Sequence, residues 1–248
     1  MRDLEQYVKT YERSDFEVNV QVRYRRKFVV EIIERFSPDS ILEIGCGIEP
    51  IFKYIDMRKM SKVTIMEPAA KFAGDARQCA DKMQLEDKVR VIGKTLETGY
   101  KDLSDDHDMI LCSGLLHEVD DPAKLLTCIR SICNKNTIVH INVPNAYSLH
   151  RLLAYEMGII GDVHELSKNN LQFQQYSVFD MEMLCEVMVE NGFTILDKGS
   201  YFCKPFAHQQ MSKMQEVNIL NEQILDGLDR LVKYMPEYGS EIYVNAKI

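Results

Sequence analysis

Apolar residues in the first part of the chain follow two rhythms. After Phe28, the residues Val29, Ile32, Ile33 and Phe36 recur at the spacing that keeps one helix face inside, and Ser37-Pro38 stops the helix. Short apolar runs follow: Ile41 to Ile44, Val63 to Met66, Val89 to Ile92, Asp108 to Cys112, and Thr137 to Val143. Such runs, closed by Gly or Pro, read as buried strands. Before Leu125, Leu126, Ile129, Ile132 and Cys133, the pair Asp121-Pro122 supplies an N-cap and a first-turn proline. Strands alternating with helices of this length predict βαβ units and a mainly parallel sheet covered by helices on both faces.

The last hundred residues break the alternation. Segment 146–176 is polar and aromatic and reads as a cap or lid inserted after the fifth strand. A helix over Phe179 to Glu190, stopped by Asn191-Gly192, precedes a strand over Phe193 to Phe202, and Glu241 to Ile248 reads as the seventh strand. Between these two strands, Met211, Met214, Val217, Leu220, Ile224, Leu228 and Leu231 form a stripe that predicts one long helix over 208–234. A methionine-rich stripe suits a core or a subunit interface, so a homodimer is compatible with it. The organisation expected is a single α/β domain over 1–248. It has an N-terminal arm or cap (1–27), a core (28–145), a lid (146–176) and a C-terminal half of the sheet (177–248).

Composition narrows the partners. The 248 residues carry a formal net charge of −8, which argues against nucleic acid, whose binding draws on Lys and Arg neutralising phosphates. The one basic run, Tyr24-Arg25-Arg26-Lys27, reads as a solvated helix face. Seven cysteines without a CxxC pair indicate neither a disulfide framework nor a zinc site, and point to a reducing, cytoplasmic compartment. The N-terminus is too polar for a signal peptide. No apolar stretch approaches the roughly 20 residues that span a bilayer, so no membrane association is expected.

The chemistry concentrates where strands end. Leu42-Glu43-Ile44-Gly45-Cys46-Gly47 turns a strand into a loop in which glycine lets backbone approach a ligand. Twenty residues past Gly47, Glu67 ends the second strand, before Pro68, where a carboxylate can accept both hydroxyls of a ribose. A dinucleotide site would want a third glycine and free helix amides for pyrophosphate. Here Glu49 would oppose a phosphate, and Pro50 has no N–H. The loop suits an adenosine cofactor that carries a charged amino acid, whose ammonium Glu43 can meet.

At these residues the chain resembles class I S-adenosylmethionine-dependent methyltransferases of small molecules, which have a Rossmann-like seven-stranded sheet. Leu42 to Gly47 looks like the family's first motif and Glu67 like its ribose-binding acid. The resemblance implies that Thr95-Leu96-Glu97 flanks adenine. It also implies that Cys112, Ser113 and Gly114, continuing through His117 to Asp121-Pro122, line the methionine end. Two departures are Glu49 in place of the usual third glycine and Lys94 near the place of an acid often found after the third strand. The stretches Asn142 to Arg151, His164 to Ser167 and Gln175 to Ser177 are similar to methyltransferases of sugar, lipid-precursor and capsule pathways, in which this segment folds over the acceptor.

The implied reaction is transfer of a methyl group from S-adenosylmethionine to an oxygen, less readily a nitrogen, of a small polar metabolite such as a sugar or polysaccharide precursor. S-adenosylhomocysteine is the product. A hydroxyl acceptor needs a base, and histidine is the usual one near neutral pH. Of six histidines, His117 after the fourth strand and His164 beside Glu165 are the candidates. Tyr147, His150 and Arg151 are candidates for the acceptor site, with His150-Arg151 suited to an anion, while His107, His140 and His208 read as structural. Ser113-Gly114-Leu115-Leu116 departs from the Asn/Asp-Pro-Pro-aromatic run of DNA amino-methyltransferases. Asp120-Asp121 reads as a helix cap and not a metal site. Two rivals stand: an NAD-dependent oxidoreductase on a related sheet, and a catalytically idle methyltransferase-like scaffold.

Overall fold

In β1 (Ser40–Ile44), successive side chains leave opposite faces of the strand. Ile41 enters one core while Leu42 and Ile44 enter the other. The same alternation runs through all five parallel strands, which is why each is an almost unbroken apolar run. The computed structural model describes residues 3–12, 20–103 and 106–248. The arm expected over 1–27 therefore falls partly outside the described residues.

The elements in chain order are α1 (Leu4–Glu12), α2 (Val22–Phe36), β1, β2 (Lys62–Met66), α3 (Ala70–Lys82), β3 (Val89–Ile92), α4 (Leu96–Gly99) and β4 (Met109–Ser113). Then come α5 (Pro122–Ser131), β5 (Ile138–Pro144), α6 (Leu149–Glu156), α7 (Lys168–Gln172), α8 (Met181–Glu190), β6 (Thr194–Tyr201), α9 (His208–Glu216), α10 (Glu222–Arg230) and β7 (Glu241–Lys247). The seven strands form one sheet in the order β3-β2-β1-β4-β5-β7-β6. Its first five strands are parallel, and β7 runs antiparallel to β5 and β6.

On one face, α2 and α3 pack Val29, Ile32, Ile33 and Ala76 on Ile41, Val63, Ile65, Met109 and Leu111. On the other, α5 and α8 bring Leu125, Ile129, Leu184 and Met188 to Leu42, Ile110, Val139 and Val244. The expected stop of α2 is observed: Ser37 is left-handed at φ 47°, with its amide on the Ile33 carbonyl. Asp121 caps α5 by accepting from the Lys124 amide at 2.9 Å, with Pro122 in the first turn.

One expectation fails. The helix expected over 208–234 is broken between α9 and α10, where Asn218 is left-handed at φ 55° and Asn221 caps α10 by accepting from the Ile224 amide. The break resets the helical phase. Leu225, outside the expected stripe, is fully buried, while Val217 and Ile224 are exposed.

Candidate functional site

The sheet's order changes direction between β1 and β4. Chains leaving those strands diverge there and open a crevice at their C-terminal ends. A cavity of about 790 Å³ occupies this place. Gly45 and Gly47, at φ 75° and 57°, turn the backbone beneath it, and a Cβ on Gly47 would meet no protein atom within 4 Å. Glu67, at the end of β2, accepts from the Gly47 amide at 3.2 Å and the Ala69 amide at 2.8 Å, which fixes its carboxylate over the glycine loop. Glu43 accepts from the Ile51 amide at 3.0 Å. Burial pushes the Glu43 carboxyl up to about 8, against the lowering effect of the Ile51 amide, with Glu67 nearby raising it further. A carboxyl raised this way, on a cavity wall, is poised to pair with a ligand cation.

Glu49 also lines this cavity, but its charge is not left to oppose an anion. Arg26 Nη1 and Lys53 Nζ pair with it at 2.9 and 2.7 Å, and Tyr54 donates its hydroxyl. Burial raises its pKa, yet the Lys53 and Tyr54 hydrogen bonds outweigh burial and the net shift is downward. The case against a dinucleotide at this loop therefore rests on the missing glycine and on Pro50, not on the Glu49 charge.

The basic run in α2 is not a solvated face. Tyr24 is buried and stacked on Phe202, with ring centroids 4.6 Å apart, and Lys27 pairs with Asp229 at 2.6 Å. Arg25 donates from Nε and Nη2 to Glu241 at 2.7–2.9 Å. Glu241 also accepts from Asn142 at 2.7 Å, Gln21 at 3.0 Å and the Tyr201 hydroxyl. Burial raises the Glu241 carboxyl, but Arg25 and these donors overcome burial and hold it at about 2.

The roof is α1. Tyr7 and Tyr11 donate to the two oxygens of Glu118 at 3.1 and 3.0 Å, and Asp3 exchanges two hydrogen bonds with the side chain of Gln174. Leu4, Tyr7 and Tyr11 all line the cavity.

A second cavity of about 910 Å³ adjoins the first, sharing Tyr11 and Arg25 as walls. Segment 146–176 lines this second cavity and reaches the first only through Tyr176.

The expected cofactor residues Glu43, Gly45, Cys46, Gly47, Glu67, Pro68, Thr95, Leu96, Glu97, Ser113 and Gly114 all line the first cavity. Cys112 does not. Alternation along β4 turns it into the core, where burial pushes its thiol up to about 12. Among the catalytic candidates, His117 is buried on the wall of the second cavity, with Nε2 3.8 Å from Glu118. His164 lines neither cavity, because Asp180 at 2.9 Å and Asp162 at 3.2 Å hold its two ring nitrogens.

Among the acceptor candidates, Tyr147 is exposed and stands edge-on to His164 outside both cavities. His150 and Arg151 both line the second cavity. The Arg151 guanidinium is committed to segment 146–176 itself, donating to the Val163 and Glu165 carbonyls at 2.9 and 2.6 Å.

Sequence reasoning missed Tyr7, Tyr11, Arg25 and Lys204 as cavity-lining residues and read His208 as structural, while Glu118 lay within the run expected at the methionine end. The Tyr7–Tyr11 pair at helical spacing was a visible signal. Nothing local marked Lys204 or His208, which are brought together by the route of the chain after β6.

The methyltransferase-domain family matches residues 21–198, more than two thirds of the chain. The chain belongs to the methyltransferase-domain family. No curated protein matches it by sequence. Among solved structures, this methyltransferase domain is similar to magnesium protoporphyrin IX methyltransferase (ChlM) from Synechocystis PCC 6803 with bound SAH. The TM-score is 0.63 at 11% identity, covering 96% of this chain and 93% of that one. It is similar to the plantazolicin methyltransferase BamL in complex with a triazolic desmethylPZN analog and SAH, with a TM-score of 0.59 at 15% identity, covering 98% and 97%. It is also similar to the [4+2]-cyclase SpnF, with a TM-score of 0.59 at 14% identity, covering 90% and 80%. At these identities the likeness is one of fold, the Rossmann-like fold of S-adenosylmethionine-dependent methyltransferases. Among the described residues no helix is long and apolar enough to cross a membrane.

Proposed function

We propose that the chain transfers a methyl group from S-adenosylmethionine to an oxygen, less readily a nitrogen, of a small polar metabolite bound in the second cavity. The observation that carries this reading is the pair of adjoining cavities with Arg25 and Tyr11 between them: one fits the donor, and the other is walled by the lid segment. The donor fits the residues present. Gly47 leaves open space, Glu67 sits where a ribose diol would be held, and Glu43 is a raised carboxyl suited to the amino-acid ammonium. Thr95, Leu96 and Glu97 flank the adenine end, and Ser113 and Gly114 the methionine end.

S-adenosylmethionine supplies an electrophilic methyl group on a sulfonium, which moves in line to the acceptor and leaves S-adenosylhomocysteine. The protein holds the acceptor against the shared wall, excludes water beneath α1, and takes the acceptor proton. His117 is the base in this reading, because its imidazole lines the second cavity while its neighbour Glu118 lines the first. His164 is set aside.

Calorimetry with S-adenosylhomocysteine and with NAD tests the donor, and tight binding of the first without the second is expected. Release of S-adenosylhomocysteine across a panel of hydroxyl and amine acceptors tests the transfer. A second reading follows from the cyclase likeness: a cofactor-binding domain that performs no methyl transfer. Donor binding with no turnover on the whole panel favours it.

A further inference from the structure

Segment 146–176 inverts the usual order of burial. Among the described residues, the one buried side chain of α6 is Arg151, and α7 has none. Leu153, Tyr155, Met157 and Ile159 stand in solvent instead. Polar bonds hold the segment together. Arg151 donates to the Val163 and Glu165 carbonyls, Ser167 and Asn170 cap the start of α7 reciprocally, and Asn170 donates to Gln175. Its apolar side chains are thus left with hardly any core of their own.

Four of them, Ile159, Ile160, Leu166 and Leu171, line the second cavity. Ile159 is 66% and Leu171 59% exposed, so these two stand at the cavity's open rim. Lys168, Asn169, Gln209 and Gln210 are exposed on the same rim, whose large apolar side chains come from segment 146–176. The inner wall differs: His117, Asn145, Ser240 and Glu241 are all buried there. The chamber therefore runs from a buried polar end to an exposed rim with an apolar side. A lone exposed leucine carries no message. Large apolar side chains gathered on one cavity, in a segment that does not bury them, bear on what fills that cavity.

Resting on the reading that the second cavity holds the methyl acceptor, we infer that the acceptor is amphipathic. Its reactive polar end lies at the inner wall beside Tyr11 and Arg25, and a neutral alkyl-like chain leaves along Ile159, Ile160, Leu166 and Leu171. Such a chain removes its own surface and theirs from water together, whereas a wholly polar acceptor would strip water from these side chains with nothing gained. Because the apolar side chains belong to the acceptor chamber itself, their occupant is part of the acceptor and not a separate partner.

The test uses the full chain saturated with S-adenosylhomocysteine, so that the donor cavity is filled, and titrates straight-chain butanol, hexanol and octanol below their solubility limits. Calorimetry is expected to show saturable binding that tightens about threefold for each added methylene. With isotope-labelled isoleucine methyls, the Ile159 and Ile160 resonances should move along the same saturation curve. Ile159→Ser and Leu171→Ser replace exposed side chains and should fold as the wild type does. Each should weaken octanol binding about fivefold, leave butanol binding nearly unchanged, and keep S-adenosylhomocysteine affinity. In turnover, an alkyl chain on a hydroxyl acceptor should lower KM and leave kcat nearly unchanged.

Affinity that is flat with chain length, absence of saturation, or an octanol gain that survives in both variants overturns the inference. Sedimentation with phosphatidylcholine vesicles in place of saturable alcohol binding would make the rim a membrane contact and overturn it likewise. The methyl-transfer reading fails separately. Chain-length dependence with no S-adenosylhomocysteine formed from any alkyl-bearing acceptor, in chain freed of that product, would sink the transfer while supporting the apolar site.

Discussion

The guanidinium of Arg25 grips the carboxylate of Glu241 at 2.7–2.9 Å and at the same time lies across Gly114, where a Cβ would come within 2.9 Å of its Nη1. One residue of α2 thus ties β7 to the loop after β4 and forms the partition between the two cavities. Gly114, at φ 67°, has both the left-handed backbone and the close approach that only glycine tolerates.

Removing the charge from Glu241 should be costly, because it breaks the ion pair of a fully buried carboxylate with the largely covered Arg25 guanidinium. Glu241→Gln is expected to lower unfolding free energy by about 3–5 kcal/mol, read from urea denaturation at neutral pH. The pH sign follows from the direction of the shift. The folded carboxyl sits at about 2 against an ordinary 4.5. Its contribution is therefore complete above pH 4.5 and is lost as pH falls from there toward 2. Acid unfolding of the wild type should steepen in that window, and the variant should lose that part of the slope.

Glu43 has the opposite sign. Its folded carboxyl lies near 8, above the ordinary 4.5, so it destabilises the fold increasingly as pH rises from 4.5 to 8. Glu43→Gln should raise the melting temperature of the unliganded protein at pH 8 and leave it unchanged near pH 4. The same substitution should weaken S-adenosylhomocysteine binding. In the wild type that affinity should tighten between pH 6 and 8 as the carboxylate forms, and the variant should show no such slope. Affinity in the wild type that is flat with pH would argue against Glu43 meeting the ammonium.

Gly47→Ala separates fold from site. The added methyl meets no protein atom, so the direct cost is that of a left-handed alanine, about 1–2 kcal/mol. The methyl does point into space the donor would fill. A small loss of melting temperature with at least a tenfold loss of S-adenosylhomocysteine affinity is expected, and retained affinity would move the donor elsewhere.

The roof is testable through its fasteners. Tyr7 and Tyr11 each give a hydroxyl to Glu118, and hydrogen bonds to a charged group contribute roughly 1.5–3 kcal/mol each. The double change to phenylalanine keeps the rings and should speed S-adenosylhomocysteine dissociation at least tenfold in stopped-flow measurements. The association rate should change far less.

How far the site could be read in advance depended on locality. The strand–glycine–acid arrangement of Glu43, Gly47 and Glu67 lies within two consecutive strand ends, so a short stretch of chain specified it. Cys112 was misplaced for a reason also local: period-two alternation in β4 points it opposite to Leu111 and Ser113, both on the cavity. The long helix was misread because its stripe runs on in phase, while Asn218 and Asn221 carry the backbone instruction to stop. Lys204, His208 and His150 meet only after α6, β6 and α9 have packed, and no spacing along the chain encodes that meeting. The Arg25–Glu241 pair joins residues 216 positions apart, which explains why the basic run read as surface.

The fasteners of α1 reach into two places. Glu118 lines the first cavity, while Gln174 belongs to the segment that walls the other one. A helix clasped at both ends in this way cannot swing off one chamber without tugging on its neighbour. Opening one chamber by that route is then expected to disturb the other. The rate at which spent donor departs would then set the tempo for the methylated product as well.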